Sequence, residues 1–253
     1  MGRKARLGLF SASVPILAAI YLIGLAGLPR FGHYRGPYGD VVNAVTVPER
    51  HITDTIAAVN FDIRGFDTLG EEFIMFTSVI GVVLLLRRLR DETRREQKDE
   101  APERSVPRTS DATRVFTVGI VGLLALFGIY MVTHGQLTPG GGFQGGVILG
   151  AAPLCVYLAG NFRNFRRVAN HRLVEIAEAV GAAGYALVGL AGFCTGAAFL
   201  QNVIPLGTVG DVFSGGTVPL ISLSVGLEVA AAFVLLPYQF LEEALADRLR
   251  SAP

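Results

Sequence analysis

Six stretches of the chain are apolar over about 18 residues or more, and polar segments separate them. A helix of that length rises far enough to cross roughly 30 Å of hydrocarbon. The pattern predicts membrane-spanning helices at residues 8–28, 69–86, 114–132, 143–159, 173–199 and 218–236. The first stretch is longer than the apolar core of a signal peptide, so we interpret it as a membrane helix. We therefore expect an all-α, polytopic membrane helix bundle.

The basic residues between these stretches predict the orientation of the bundle. Of the 22 Lys and Arg residues, 18 lie before the first span, between spans two and three, between spans four and five, or after span six. Basic residues accumulate in cytoplasmic loops, so both termini are expected in the cytoplasm and the protein in the cell inner membrane. The opposite side carries only Arg30, Arg35, Arg50 and Arg64.

A charged, proline-containing segment at residues 91–113 divides the chain into two predicted modules. Such a composition does not bury a core. Residues 1–90 would form a two-span module and residues 114–253 a four-span module. Between the first two spans, the sequence around Thr46–Ile56 fits either a short strand or a surface helix.

Between spans three and four, the chain reads His-Gly-Gln-Leu-Thr-Pro-Gly-Gly-Gly-Phe-Gln-Gly-Gly from His134. Glycines four apart give a helix a smooth face that a neighbouring helix can approach closely. We therefore expect this segment to open a tightly packed membrane helix inside an assembly. The predicted helix-packing residues are Gly140, Gly141, Gly142, Gly145, Gly146 and Gly150.

The composition excludes several kinds of site. The sequence has no metal-ligand spacing, Walker loop or dinucleotide fingerprint, so we expect no catalytic, cofactor-binding or metal-binding residues and no nucleic-acid partner. Cys155 and Cys194 lie at different predicted depths, which favours two free, buried thiols. The only lysines, Lys4 and Lys98, lie outside the spans, so this chain alone does not supply a buried Lys–Glu proton relay.

Acidic residues inside or beside the spans are the candidates for an ion path, because a charge at the membrane centre costs at least about 2.5–3.5 kcal/mol. Glu228 lies near the predicted midplane. It either orients one helix against another as a protonated or hydrogen-bonded group, or serves as a stepping stone for a proton or cation. Glu178 lies deeper in its span and is a further candidate for the ion path. Glu175 lies nearer the end of the span, and the sequence favours it as a solvated residue or a partner of Arg172.

The start of span two and the end of span three supply the other candidates. Thr68 and Glu71 fit a capping box, with Glu71 reaching back to the helix start; Glu72 has no such role and is freer to line a polar path. Asp67 is a further candidate, and Arg64, Asp62 and Asp67 could form an ion-pair cluster just outside the span. His134 is either a satisfied interfacial histidine or a proton carrier. The ion-pathway candidates are Glu71, Glu72, Asp67, His134, Glu178 and Glu228.

Two motifs resemble those of a known family. The Pro-Gly-Gly-Gly-Phe-Gln-Gly-Gly run ending at Gly146 resembles the signature of the B-type component of Mrp-type multisubunit Na⁺/H⁺ antiporters, the MnhB family. The Arg-Gly-Phe-Asp-Thr-Leu-Gly-Glu run from Arg64 to Glu71 resembles a segment near the C-terminal end of the family's large A-type component. Together they imply a B-type protein fused to the tail of an A-type protein, with Glu71 in the position of the family's motif glutamate.

The resemblance implies an accessory membrane subunit of a cation (Na⁺)/proton antiporter, and not an enzyme. Its partners would be subunits of the A, C, D, E, F and G types within the lipid bilayer, with Na⁺ and H⁺ as the transported ions. The small component of related membrane-bound hydrogenases carries the second motif as well. The alternative is therefore a subunit of a hydrogenase-type or complex I-like redox complex that couples electron transfer to ion movement. A third possibility is an assembly or scaffold helix bundle that does not contact the ions.

Overall fold

The computed structural model describes residues 3–28, 36–92, 109–160 and 162–251, and these contain helices and no strand. Most of the charged linker and residues 29–35 of the first loop lie outside them. The helices are α1 Arg3–Ala26, α2 Pro37–Arg50, α3 Thr55–Ala58, a π-helical turn Val59–Ile63, α4 Gly65–Glu92, α5 Asp111–Thr133, α6 Gly142–Ala159, α7 Phe162–Val168, α8 His171–Cys194 and α9 Val218–Ser251.

The chain divides into two compact units, Met1–Val41 and Val42–Pro253. In the first unit, the apolar part of α1 is Ser11–Ala26, which is shorter than the span predicted there. In the second unit, five helices are long and apolar enough to cross a membrane: Gly65–Leu86, Asp111–Thr133, Gly142–Ala159, His171–Cys194 and Val218–Glu242. The prediction of an all-α membrane helix bundle is confirmed.

Helix α9 is the centre of the second unit. It packs mainly against α6 and α8, and also against α4 and α5. Of its apolar stretch 61% is buried inside the chain, whereas the other four span-length helices bury between 17% and 33%. The outward faces of those four helices carry large apolar side chains such as Phe116, Leu85 and Leu187, as expected for surfaces that meet lipid or other subunits.

Glycines set the distance between α9 and its neighbours. On α6, an added Cβ at Gly142, Gly146 or Gly150 would lie 2.5 to 2.8 Å from atoms of α9. On α8, a Cβ at Gly181 would lie 2.5 Å from the backbone nitrogen of Glu228. The glycine row of α6 therefore packs against a helix of the same chain, and Gly145 packs against Val132 of α5.

The turn between α5 and α6 also requires glycine. Gly140 and Gly141 have φ values of 153° and 109°, in the region that side chains rarely adopt. The Gly141 amide donates to the carbonyl of Met131 at 3.1 Å, which folds the turn back onto the end of α5. The Ser222 hydroxyl of α9 donates to the Val132 carbonyl at 2.7 Å and joins α9 to the end of α5 beside this turn.

In the segment around Thr46–Ile56, residues 46–50 end α2 and residues 55–56 begin α3, whereas residues 51–54 form a turn between them. The segment contains no strand, so the surface-helix interpretation holds for its two ends. Helix α2 runs to Arg50, and His51 reverses the chain with φ 56°. Asp54 then caps α3 by accepting from the Ile56 amide at 3.2 Å. The π-helical turn follows and leads directly into α4.

Residues 46–63 are called the outer segment below, because they lie on the side opposite to the basic loops. Asn202 ties the loop before α9 to this outer segment. Its amide nitrogen donates to Asp62 Oδ1 at 3.2 Å and to the Gly215 carbonyl at 2.9 Å. Its Oδ1 accepts from the Thr217 amide at 3.0 Å, beside the start of α9. Gly216 has φ 64°, and a Cβ there would overlap the Asn202 side chain. No local sequence pattern singles out Asn202, because Asp62 is distant from it in the chain.

Both cysteines are free, as predicted, but the expectation that both are buried is wrong. Cys155 is half-buried, whereas Cys194 is exposed on the surface of the chain. Cys194 is the last residue of α8, and the chain turns at Thr195. The span predicted to reach residue 199 therefore stops five residues earlier, and its final thiol faces outward.

Replacing Gly146 by Ala should destabilise the bundle. The new Cβ would lie 2.7 Å from the Val229 Cβ and 2.9 Å from the Gly226 carbonyl oxygen. Overpacking of this kind costs about 1–3 kcal/mol, so the midpoint of thermal unfolding in detergent should fall. The matched control is Gly122→Ala on α5, where an added Cβ meets nothing within 4 Å. Equal losses in both variants would contradict the packing described.

Replacing Asn202 by Ala should loosen the start of α9. The change removes the hydrogen bonds that Asn202 makes with the Thr217 amide and with Asp62. Leaving a buried polar group without its partner costs about 1–3 kcal/mol of stability. Hydrogen exchange of the Thr217 amide should accelerate, as measured by mass spectrometry of the peptide that contains it. Asn43→Ala, at an exposed position on α2, is the control, and unchanged exchange at Thr217 would show that Asn202 does not hold this segment.

Candidate functional site

Three of the predicted ion-path residues meet in the middle of the second unit. Glu72 of α4, Glu178 of α8 and Glu228 of α9 are 1%, 3% and 0% exposed. We call these three side chains the acid triad. Glu72 and Glu228 interact directly, and Glu228 also interacts electrostatically with Glu178. Each acid comes from a different helix, and the packing of α4 and α8 on α9 brings them together.

The acid triad is staggered through the depth of the bundle. Glu72 lies seven residues after the start of α4 and Glu228 ten residues after the start of α9, or about 10 and 15 Å along each helix. Gly181 lies against Glu228, and Glu178 is three residues nearer the start of α8, about 4–5 Å further from Cys194. The three acids therefore lie at different distances along the helices that carry them.

Within the part of the chain that the structure describes, the acid triad has little hydrogen bonding. Both carboxyl oxygens of Glu72 and Glu228, and one of Glu178, are buried without a partner that meets hydrogen-bond geometry. Among the described residues, no basic side chain forms an ion pair with the triad. The His, Cys, Asp and Glu residues of the same part of the chain form no group that could hold a metal ion. The arrangement suits groups that share or pass protons, since adjacent carboxyls do not readily ionise together.

The other candidates on α4 lie outside the acid triad. Glu71 is exposed, although it interacts with Glu72. The predicted capping box is wrong: α4 starts at Gly65, so Thr68 lies inside the helix and is buried rather than preceding it. Asp67, in the first turn, pairs with Arg64, and its Oδ2 accepts from Arg64 Nε at 2.6 Å.

Asp62 belongs to a separate ion pair. Its Oδ2 lies 3.3 Å from Arg50 Nε, and its side chain is almost fully buried. This pair and the Asn202 contacts hold the outer segment in place. They are structural rather than part of the acid triad.

His134 follows the last residue of α5 and is not part of the acid triad. It caps the helix, and its Nδ1 is 3.0 Å from both the Tyr130 carbonyl and the Thr133 hydroxyl. Its ring stacks on Tyr130 at 4.2 Å between centroids. Both polar contacts involve Nδ1, and together with the stacking they hold the ring within the turn that opens the glycine segment.

A second polar group lies next to Glu178 and was not predicted as a unit. Glu175, one turn before Glu178 on α8, interacts with it electrostatically. His171 Nδ1 lies 3.3 Å from Glu175 Oε2, and its Nε2 lies 2.6 Å from Gln239 Nε2 of α9. The i, i+4 spacing of His171 and Glu175 is visible in the sequence, but the contact with Gln239 depends on how α8 packs on α9.

Comparison with known proteins identifies the four-helix part of this bundle. Residues 112–235 match a family model described as a domain related to the MnhB subunit of Na⁺/H⁺ antiporter. The uncharacterized protein MJ1307 of Methanocaldococcus jannaschii is 30% identical over 231 residues, which cover 85% of this chain and 87% of the relative. The similarity therefore extends well beyond the matched domain.

Two solved membrane complexes contain chains with a similar fold. A chain of the membrane-bound sulfane sulfur reductase, an archaeal respiratory membrane complex, is 28% identical with a TM-score of 0.71, over 94% of this chain and 98% of that chain. A chain of the Mrp complex from Dietzia sp. DQ12-45-1b is 24% identical with a TM-score of 0.70, over 94% of this chain. This chain spans about a quarter (26%) of that Mrp chain.

The glycine segment, the helices that it joins and most of α9 fall inside the matched residues. The relative that is similar over most of its length extends the relationship to the rest of the bundle. The chain is therefore a multi-pass membrane protein that belongs to the MnhB family.

Proposed function

We propose that this protein is an accessory subunit of a multisubunit cation/proton antiporter, and that its acid triad forms part of the ion path. The observation that carries the proposal is the meeting of Glu72, Glu178 and Glu228 inside an MnhB-related bundle. Carboxyl groups buried in a membrane protein mark proton or ion routes more often than structural contacts. The similarity to a chain of the Mrp complex supports an antiporter assembly.

The chain acts as a transporter subunit rather than as an enzyme. The resemblance to the antiporter family implies contacts with larger subunits of the A and D types and with the smaller C, E, F and G types. Na⁺ and H⁺ are the proposed ions, and the cell inner membrane is the proposed location. The large apolar side chains on the outward faces of α4, α5 and α8 support burial among such neighbours.

The two predicted modules are proposed to correspond to the tail of the A-type antiporter protein and to the whole B-type protein. The Arg64–Glu71 motif lies in α4, before the residues matched by the family model. The likeness to one Mrp chain covers 94% of this protein, which is more than the second module alone. This coverage supports a fusion, in which α4 would supply Glu72 from the A-like part to the acids of the B-like part.

Membership of a redox-driven complex is the second candidate. It is favoured by the match to the sulfane sulfur reductase chain, which is covered over 98% of its own length. In that setting the acid triad would couple electron transfer elsewhere in the complex to ion movement. The MnhB-related domain fits the antiporter better, so the antiporter remains the main proposal.

Purification of the tagged chain in mild detergent tests its membership of a complex. We expect larger membrane subunits to copurify, because the outward helix faces are apolar and α9 alone is well buried by the chain itself. Mass spectrometry of the copurified proteins separates the two candidates. Proteins of the antiporter types support the first, and hydrogenase-like or iron–sulfur proteins support the second. Recovery of an active, solitary transporter would contradict both.

Replacing Glu72 and Glu228 together by Gln tests the ion path. Gln preserves size and polarity but does not carry a proton, so Na⁺-dependent proton flux into vesicles should fall by about two orders of magnitude, the usual contribution of a positioned proton donor or acceptor. The control is Glu49→Gln, at an exposed position on α2. Unchanged flux with a normally assembled complex would remove the acid triad from the path.

A further inference from the structure

The exposure of acidic side chains falls stepwise from the start of α8 toward the centre of the bundle. The Glu175 side chain is 33% exposed. Glu178, one turn further along, is 3% exposed, and Glu228 beyond it is 0% exposed. Each member interacts electrostatically with the next, and Glu72 ends the series. The acids therefore form a continuous series from a partly exposed end at Glu175, which we call the wet end, to a buried end at Glu72.

His171 lies at the wet end of this series. Its side chain is 21% exposed, and both ring nitrogens have polar neighbours, Glu175 and Gln239. The Gln239 amide donates to Nε2, so the neutral ring carries its proton on Nδ1, which faces Glu175. An imidazole can accept a proton on one ring nitrogen and release one from the other. The ring is therefore placed to pass protons between the surface and Glu175.

An apolar cluster lies on the other side of the acid triad. It joins α4, α8 and α9 to the outer segment and comprises Ile52, Ala57, Ala58, Phe61, Leu69, Tyr185, Val218, Ile221, Val225 and Val229. The Tyr185 hydroxyl donates to the Gly65 carbonyl at 2.8 Å. A backbone carbonyl has no exchangeable proton, so this hydrogen bond does not continue a relay toward the outer surface.

Other charged or titratable groups also face the series. Glu71 of α4 and Tyr185 of α8 interact with Glu72. Tyr238 of α9 packs edge-on against His171 at 4.8 Å and interacts with Arg166 and Glu242. Glu71 lies six residues after the start of α4 and is exposed on the surface of the chain. The access route proposed below therefore requires that lipid or a neighbouring subunit covers Glu71 in the complex.

We propose that the acid triad exchanges protons only with the arginine-rich side of the membrane, through His171 and Glu175. His171 is the entry residue, and Gln239 positions its ring. Arg163, Arg166, Arg167 and Arg172 mark this side in the sequence. The inference rests on the proposed function, because it assigns an access route to the acid triad that the proposed function places in the ion path. With this route, the bundle forms a half-channel that is closed at its outer end.

The test uses the complete complex in right-side-out and everted vesicles, with the pH of each side set separately. A membrane-permeant carbodiimide reacts with protonated, buried carboxyl groups, and mass spectrometry measures its attachment to Glu72, Glu178 and Glu228. Labelling should follow the pH of the arginine-rich side, changing by up to about tenfold per pH unit. It should not respond to the pH of the other side. Labelling that follows the outer pH would overturn the proposal.

Variants then test the entry residues. In a complex with His171→Ala and Glu175→Gln, labelling after a pH jump on the arginine-rich side should respond at least about tenfold more slowly, because both surface proton carriers are removed. His51→Ala, whose ring lies against the Gly207 carbonyl in the outer segment, should respond normally. An equally fast response in the double variant would overturn the role of His171 and Glu175. If that variant does not assemble, the sidedness of the unsubstituted complex decides alone.

The labelling assay does not depend on transport, so the two proposals fail separately. Sided labelling in a complex without antiport activity would remove the proposed function and leave the access route. Normal antiport with labelling controlled from the outer side would remove the access route and leave the proposed function.

Discussion

The close approach of α9 to α6 and α8 is the contact on which the rest of the second unit depends. It requires glycine, because a side chain at Gly146 or Gly181 would overlap the backbone or side chains of α9. Between helices in lipid, such packing replaces much of the hydrophobic driving force that soluble proteins use. The same contact presses Gly181 against Glu228, which removes that acid from lipid.

The helical architecture could be read largely from the sequence. Apolar length alone identified the five span-length helices, and the position of Glu228 near the midplane followed from counting residues along one of them. The row at Gly142, Gly146 and Gly150 also predicted a packed face. Its partner could not be predicted, because spacing within one helix does not show whether the neighbour belongs to the same chain.

The site was less predictable, because it depends on how helices are rotated and where they begin. Adjacent glutamates on α4 point in different directions, so only packing decides that Glu72 is buried and Glu71 is exposed. The capping-box prediction failed because a π-helical turn starts α4 earlier than the local signals suggest. The contact between His171 and Gln239 joins residues 68 positions apart, and no local pattern contains that information.

The order of the helices along the chain has a consequence for biosynthesis. Glu72 and Glu178 belong to helices that precede α9, so they enter the membrane before the helix that covers them has been made. During that interval each acid faces lipid, water in the insertion machinery or a helper protein. The arrival of α9 is therefore the step at which the protein matures, and a chain stalled before it would display two uncovered glutamates that membrane quality control can detect.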